Sequence, residues 1–396
     1  MLLVVMLFGM ATALLVYGMV DTNSLAVRRD RDTAAAFAEV KRALIGWSVA
    51  RDPSIHGANA RPGELPCPDM KNDGFEDGSC VAGALGRVPW KTLGIPEPKD
   101  AAGETLWYTV AGPFRIWNMN NTIIDNDTKG NLTVYLDSTA AMITTQAVAV
   151  IFSPGAAIGA QDRSCTVGVN CTATGQCTTS PASLTPKCNP ANYLDLETVT
   201  GVNNATTNGP FISAPTSYTP PPGFNDKVIV ITTADLMPVV EKRVASEMLR
   251  LLSDPITGYR AKSACGCYPW AANNFDDDSV TGRTQGMVPI EVALPEPWGS
   301  AGIPSVPSWM IGSNEWGKKF YYAIAPSESQ DHTVGTITVN GASKNLVLIT
   351  TGPAGASRPS TNLADYVDDA ENRDGGTIYL TPSSTAYARD RIYTIP

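Results

Sequence analysis

The hydrophobic pattern of the chain opens with an extreme. Residues 1–20, MLLVVMLFGMATALLVYGMV, carry no charge, and charges begin at Asp21 and cluster at Arg28, Arg29 and Arg31. As a helix this run would be about 30 Å long, enough to cross a bilayer. Beyond it the pattern changes to a stripe: Phe37, Val40, Leu44 and Trp47 recur at spacings of three and four among polar residues. That spacing predicts a continuing amphipathic helix, stopped by Asp52-Pro53. A second stripe, Leu236, Val240, Val244, Met248 and Leu251, predicts another helix with Thr233 as its N-cap and Asp254-Pro255 as its end.

The two stripes head two related stretches of sequence. CPDMKNDGFEDGSCVAGALGRVP from Cys67 aligns without a gap on CYPWAANNFDDDSVTGRTQGMVP from Cys267. Identities fall at Cys67/Cys267, Phe75/Phe275, Asp77/Asp277, Ser79/Ser279, Gly86/Gly286, Val88/Val288 and Pro89/Pro289. Downstream, LWYTVAGP from Leu106 answers FYYAIAP from Phe320, and AVAVIFSPGAA from Ala147 answers NLVLITTGPAGA from Asn345. DKVIVITT from Asp226 is matched to GTIYLTP from Gly376. These short β-rich runs are bounded by Gly, Pro and Asn. The expected fold class is α+β: a long apolar N-terminal helix over 1–26, then two tandem helix-plus-antiparallel-sheet domains, 27–232 and 233–396. The aromatics Trp107, Tyr108, Tyr321 and Tyr322 lie in strand-like runs and are expected in the core.

A formal charge of -9 argues against a nucleic-acid surface, which needs a concentrated basic face. The eight cysteines change the picture more. Cys67 and Cys80 flank an acidic loop and are expected to be bridged; Cys165, Cys171, Cys177 and Cys188 sit in an insertion near 165–188 with three pairings open. A bridge within Cys265-Gly266-Cys267 would be strained, which leaves pairing elsewhere or free thiols. An even count in loop-rich sequence favours disulfides over zinc, and so a body outside the cytoplasm.

Asp69, Asn72, Asp73, Glu76 and Asp77 offer hard oxygens around Gly74, a composition suited to calcium; the rival reading is a solvated turn closed by the Cys67–Cys80 bridge. No other cofactor is expected. Catalytic motifs are missing: there is no Gly-x-Ser-x-Gly elbow, His-Glu-x-x-His pair or phosphate-binding glycine loop. His56 and His332 both sit in polar loops, and no enzymatic activity is expected.

The uncharged N-terminal run, the long loop after the helix, the strands and the cysteines together resemble the type IV pilin superfamily, which includes the pseudopilins of type II secretion. Cys67-Pro68-Asp69, Gly86-Arg87-Val88-Pro89-Trp90, Ile95-Pro96-Glu97-Pro98 and Leu106-Trp107-Tyr108 are similar to stations in large bacterial pilin-like proteins. The resemblance implies a homopolymer in a cell-surface filament. Its assembly helix would bury Leu2, Leu3, Val5, Leu7, Phe8, Leu14, Leu15 and Tyr17, after a stay in the inner membrane and handling by pilus or type II secretion machinery. The alternative is an anchored pseudopilin or minor pilin that forms no long fibre. Physics points the same way, since an uncharged helix is stable only in lipid or against others of its kind. The positive-inside rule agrees with export if a short basic leader preceded Met1.

Overall fold

The computed structural model describes residues 27–51, 56, 60–116, 124–137, 139, 141–166, 171–172, 176–177, 186–213, 223–273, 279–290, 297–300, 302–310, 316–352, 362–381 and 390–395. The chain divides into two compact units. The first gathers Met1–Gly46, Pro66–Arg115 and Gly130–Ile231, and the second gathers Trp47–Leu65, Ile116–Lys129 and Thr232–Pro396.

Helix α1 occupies residues 27–49 and buries Thr33, Ala36, Phe37, Val40, Leu44 and Ser48, close to the stripe read from the sequence. Lys41 on α1 donates from Nζ to the carbonyl of Val230 at 3.1 Å. The first unit holds a four-stranded antiparallel sheet in the order β1 (Gly86–Arg87), β2 (Trp107–Val110), β5 (Ala149–Ser153) and β7 (Lys227–Ile231). A second, three-stranded sheet combines the antiparallel pair β3 (Leu132–Tyr135) and β4 (Met142–Ala147) with β6 (Phe211–Ile212), which runs parallel to β3.

The second unit repeats both sheets strand for strand. Its four-stranded sheet runs β8 (Gln285–Met287), β9 (Phe320–Ile324), β12 (Leu346–Thr350) and β14 (Arg391–Ile395). Its three-stranded sheet pairs β10 (Ile337–Val339) with antiparallel β11 (Ala342–Lys344) and parallel β13 (Ile378–Tyr379). Helix α2, Thr233–Ser253, packs on β12 and β14. Its N-cap is Thr232, one residue before the expected Thr233: the Thr232 hydroxyl accepts from the Asp235 N–H, and the Asp235 carboxylate accepts from the Thr232 N–H. All five residues of the predicted stripe are buried.

The same register recurs in the two units. Gly86 faces Tyr108 and Gly286 faces Tyr322, and these two buried tyrosines donate to the carbonyls of Pro66 and Pro269 at 3.2 and 3.0 Å. Trp107 and Tyr321, next to them, are buried too, as the strand pattern predicts.

The structure corrects the expected fold class. Among the described residues no helix is long and apolar enough to cross a membrane, and α1 carries charges along its exposed side. Nor are the units purely antiparallel, since each three-stranded sheet contains a parallel pair. The expected assembly residues Leu2, Leu3, Val5, Leu7, Phe8, Leu14, Leu15 and Tyr17 lie outside the described residues.

Two equivalences inferred from the sequence also shift. The counterpart of β7 is β14, because both pair with the central strands β5 and β12; Ile378–Tyr379 is instead the counterpart of β6. Alternating apolar runs look alike in sequence, and only their hydrogen-bonded neighbours distinguish them. Likewise Asp69 pairs with Arg87 as Ala272 pairs with Met287, so Cys67 is the counterpart of Trp270, not of Cys267. Cys267 is bridged to Cys265, with Cα atoms 5.2 Å apart, contrary to the expectation of pairing elsewhere or free thiols. The intervening Gly266 takes φ +65°, a turn that brings the two residues together.

Candidate functional site

Of the residues singled out by sequence, the acidic loop and six of the cysteines lie in the first unit, and Cys265 and Cys267 lie in the second. Cys67 and Cys80 are bridged with Cα atoms 5.8 Å apart, and both are buried. The insertion is closed by Cys165–Cys171 and Cys177–Cys188, which resolves its three open pairings. The two stapled loops touch each other: the Cys177 N–H donates to the Lys71 carbonyl at 2.7 Å.

Inside the acidic loop the carboxylates turn towards the loop's own backbone. Asp69 Oδ1 accepts from the N–H groups of Lys71 and Asp73, and its Oδ2 from Gly74 at 2.7 Å. Asp77 Oδ2 accepts from Met70 N–H, and its Oδ1 lies 2.5 Å from Lys71 Nζ. Asp73 Oδ1 accepts from Phe75 N–H, Asn72 adopts φ +56°, and the Glu76 N–H donates to Thr92 Oγ1. Gly74 is required here: at φ +85°, a Cβ would lie 2.8 Å from the Trp90 ring. Among the described residues no group of three or more His, Cys, Asp or Glu is placed to hold a metal ion. The loop leaves Met70, Phe75 and Val81 exposed beside its charges.

Beneath this surface lies a polar core that the sequence reading missed. The guanidinium of Arg87 sits 4.8 Å from the Trp107 ring and 4.9 Å from the Tyr193 ring, and donates to the Lys187 carbonyl at 2.7 Å. Arg163 lies 4.6 Å from the same Tyr193 ring and donates to the carbonyls of Asn192 and Gly155. Arg87 thus fastens the insertion to β1, and Arg163 links the segment after the insertion to the turn after β5, both through carbonyls, which stay acceptors whatever the pH.

Next to Tyr193 is a station present in both units. Asp226, just before β7, accepts at Oδ2 from the Asp195 N–H at 2.7 Å and from Asn204 Nδ2 at 2.9 Å. Asn204 also exchanges two hydrogen bonds with the backbone of Ile212. In the second unit Asp390, just before β14, accepts from the Asp368 N–H at 2.7 Å, and Asn372 exchanges two bonds with Leu380. The sequence signal was there: Asn189-Pro-Ala-Asn-Tyr-Leu-Asp195 and Asn362-Leu-Ala-Asp-Tyr-Val-Asp368 share four of seven residues. In both, the leading Asn side chain caps a single 3-10 turn. In the first unit this chain of bonds ties the start of β7 to β6 of the smaller sheet.

These buried carboxylates make stability depend on pH. Burial pushes Asp69 up to about 6 from its ordinary 3.8, against the pull of the Gly74 and Asp73 N–H groups. Asp226 is raised well above the usual carboxylate range, first by burial and then by the nearby Asp195, and burial raises Asp195 as well. A raised folded value means that the native state holds the proton more tightly. The stability is then full below the unfolded value and is lost as pH rises through the folded one. The exposed Asp162 shifts downwards and opposes this weakly, because solvent screens it. The first unit is therefore expected to unfold at a higher denaturant midpoint at about pH 4 than at about pH 7.5. Asp69→Asn should flatten the part between 3.8 and about 6. A midpoint that climbs across this window would contradict the assignment.

A further polar feature of the first unit is an open cleft of ≈430 Å³ beside α1, whose charged lining is Arg29, Asp30, Asp100 and Lys227. Within it Lys227 pairs with Asp30, and Asp100 accepts from Ser153 Oγ and the Gly155 N–H, both at 2.8 Å. His56 is exposed, and exposed His332 places Nδ1 3.2 Å from the Ser327 carbonyl oxygen. Comparison with protein-family models, with curated proteins and with solved structures finds no match to the chain.

Proposed function

We propose that this chain is a structural subunit of an extracellular filament of the type IV pilin-like kind. It assembles with copies of itself through the uncharged segment of residues 1–20 and presents its stapled loops outward. The observation that carries the reading is the exposed start of α1, which follows that segment along the chain. Residues 27–32 of α1 are all exposed, and burial begins only at Thr33. Four disulfides, among them the two that close the insertion, support an oxidising destination. A segment of twenty uncharged residues that leaves the membrane must be covered, and copies of itself provide a matching surface. In this reading the inner membrane and a pilus or type II secretion assembly machinery handle the subunit before polymerisation.

The test is Leu14→Asp. A carboxylate among packed apolar segments has no partner and costs several kcal/mol, on the order of 3–5. Fibres sheared from the cell surface and viewed by negative stain are expected with the parent chain and absent with the variant. Normal fibres from Leu14→Asp would sink the proposal. So would a parent chain that stays in the membrane fraction and yields no fibres, the behaviour of an anchored subunit.

A further inference from the structure

The second unit buries an unusual set of charges. Lys319, at the end of the 3-10 turn Trp316–Lys319, is 4% exposed, and its Nζ lies 2.5 Å from Asp127 Oδ2 and 3.8 Å from Asp125 Oδ2. Asp125 is fully buried; its Oδ1 accepts from the Asp127 N–H and the Thr128 hydroxyl, while its Oδ2 makes no hydrogen bond. Asn126, between the two aspartates, is buried with neither side-chain oxygen nor nitrogen hydrogen-bonded. The Tyr366 ring lies 5.7 Å from Lys319 Nζ.

A buried ammonium between two carboxylates is poorly solvated, and mutual attraction rarely compensates fully for lost hydration. Converting one amine and one carboxyl group into an amide removes both charges. We propose that Lys319 and Asp127 condense into an intramolecular isopeptide bond, with Asp125 as the acid-base group that assists the reaction. The atoms balance without any co-reactant. A proton passes from Nζ to the carboxylate, leaving a neutral amine beside a carboxylic acid. The Nζ lone pair then attacks Asp127 Cγ, forming the N–C bond; the Cγ–Oδ2 bond breaks, and that oxygen leaves as water with its own proton and one more from Nζ. Asp125 can pass that last proton, since burial raises its affinity for one. No oxidation state changes. The bond would tie segment Ile116–Lys129 covalently to the rest of the second unit, a cross-link of a kind distinct from the disulfides.

The inference is independent of filament assembly and is tested on the full chain purified from an oxidising compartment, then reduced and denatured. Mass spectrometry is expected to find the chain lighter than its sequence by one water, and digestion to release a branched peptide joining the Lys319 and Asp127 segments. Lys319→Arg and Asp125→Asn should each restore the full mass. Asp127→Asn should still form the bond by losing ammonia instead of water, giving the same branched peptide, which an ion pair could not do. The parent chain decides even if the variants fold poorly. A folded parent chain with the unmodified mass and Lys319 in ordinary linear peptides would overturn the proposal.

Discussion

Gly286→Ala is expected to destabilise the second unit by about 3 kcal/mol, a large effect for a single methyl group. A Cβ at Gly286 would stand 1.9 Å from the carbonyl oxygen of Ala272 and 3.1 Å from its carbon. That carbonyl is committed: it accepts from the Met287 N–H at 3.2 Å, while the Ala272 N–H donates to the Met287 carbonyl at 3.0 Å. Making room for the methyl breaks this pair and draws Pro269, three residues away, from the buried Tyr322 hydroxyl. Gly46→Ala provides the opposite sign. It lies on the exposed side of α1 with no atom within 4 Å of its Cβ position, so the substitution should stabilise by about 0.5–1 kcal/mol through the unfolded chain. Denaturant unfolding of the two variants beside the parent chain measures both. A Gly286→Ala protein as stable as its parent would refute the packing of Ala272 against β8.

Replacing Cys67 and Cys80 together by alanine should lower the stability of the first unit by about 2–4 kcal/mol. The bridge spans a sequence separation of 13 and closes the loop whose carboxylates bind its own N–H groups. Without it the unfolded loop gains freedom, and the native one loses a buried contact. The second unit shows how the same loop is held without a bridge. There Val280 stands at the spacing of Cys80, its N–H donates to the Ala271 carbonyl at 2.9 Å, and Ala272 pairs with Ser279 as well. Strand pairing thus replaces the covalent link. The double variant should unfold in two steps, with only the first-unit step displaced, by denaturant titration with fluorescence detection. An undisplaced midpoint would show that the bridge contributes nothing to stability.

Much of this molecule was legible in its sequence because periodicity reports a buried face directly. The stripes of α1 and α2, the stop at Asp254-Pro255, the Cys67–Cys80 bridge and the pairs β2/β9 and β5/β12 all follow from spacing and local chemistry. The repeated Gly86 and Gly286 were visible as identities, but their cause, a carbonyl pressed against each, is a contact between segments distant in sequence. Matching Cys67 to Cys267 failed because the second loop is three residues shorter between its backbone pair and its glycine, and an ungapped comparison follows letters, not hydrogen bonds. Matching β7 to Ile378–Tyr379 failed because any short alternating run satisfies the same pattern.

What only the tertiary structure decided is the polar interior. Asp226, Asn204, Asp390 and Asn372 are ordinary loop residues in sequence, and burial between two sheets turns them into obligatory partners of backbone groups. Lys319 and Asp127 are likewise unremarkable until a chain separation of 192 residues is closed to 2.5 Å. Local sequence encodes which face of an element avoids water. Which charges must then share a dry interior depends on long-range closure, and that no window of sequence contains.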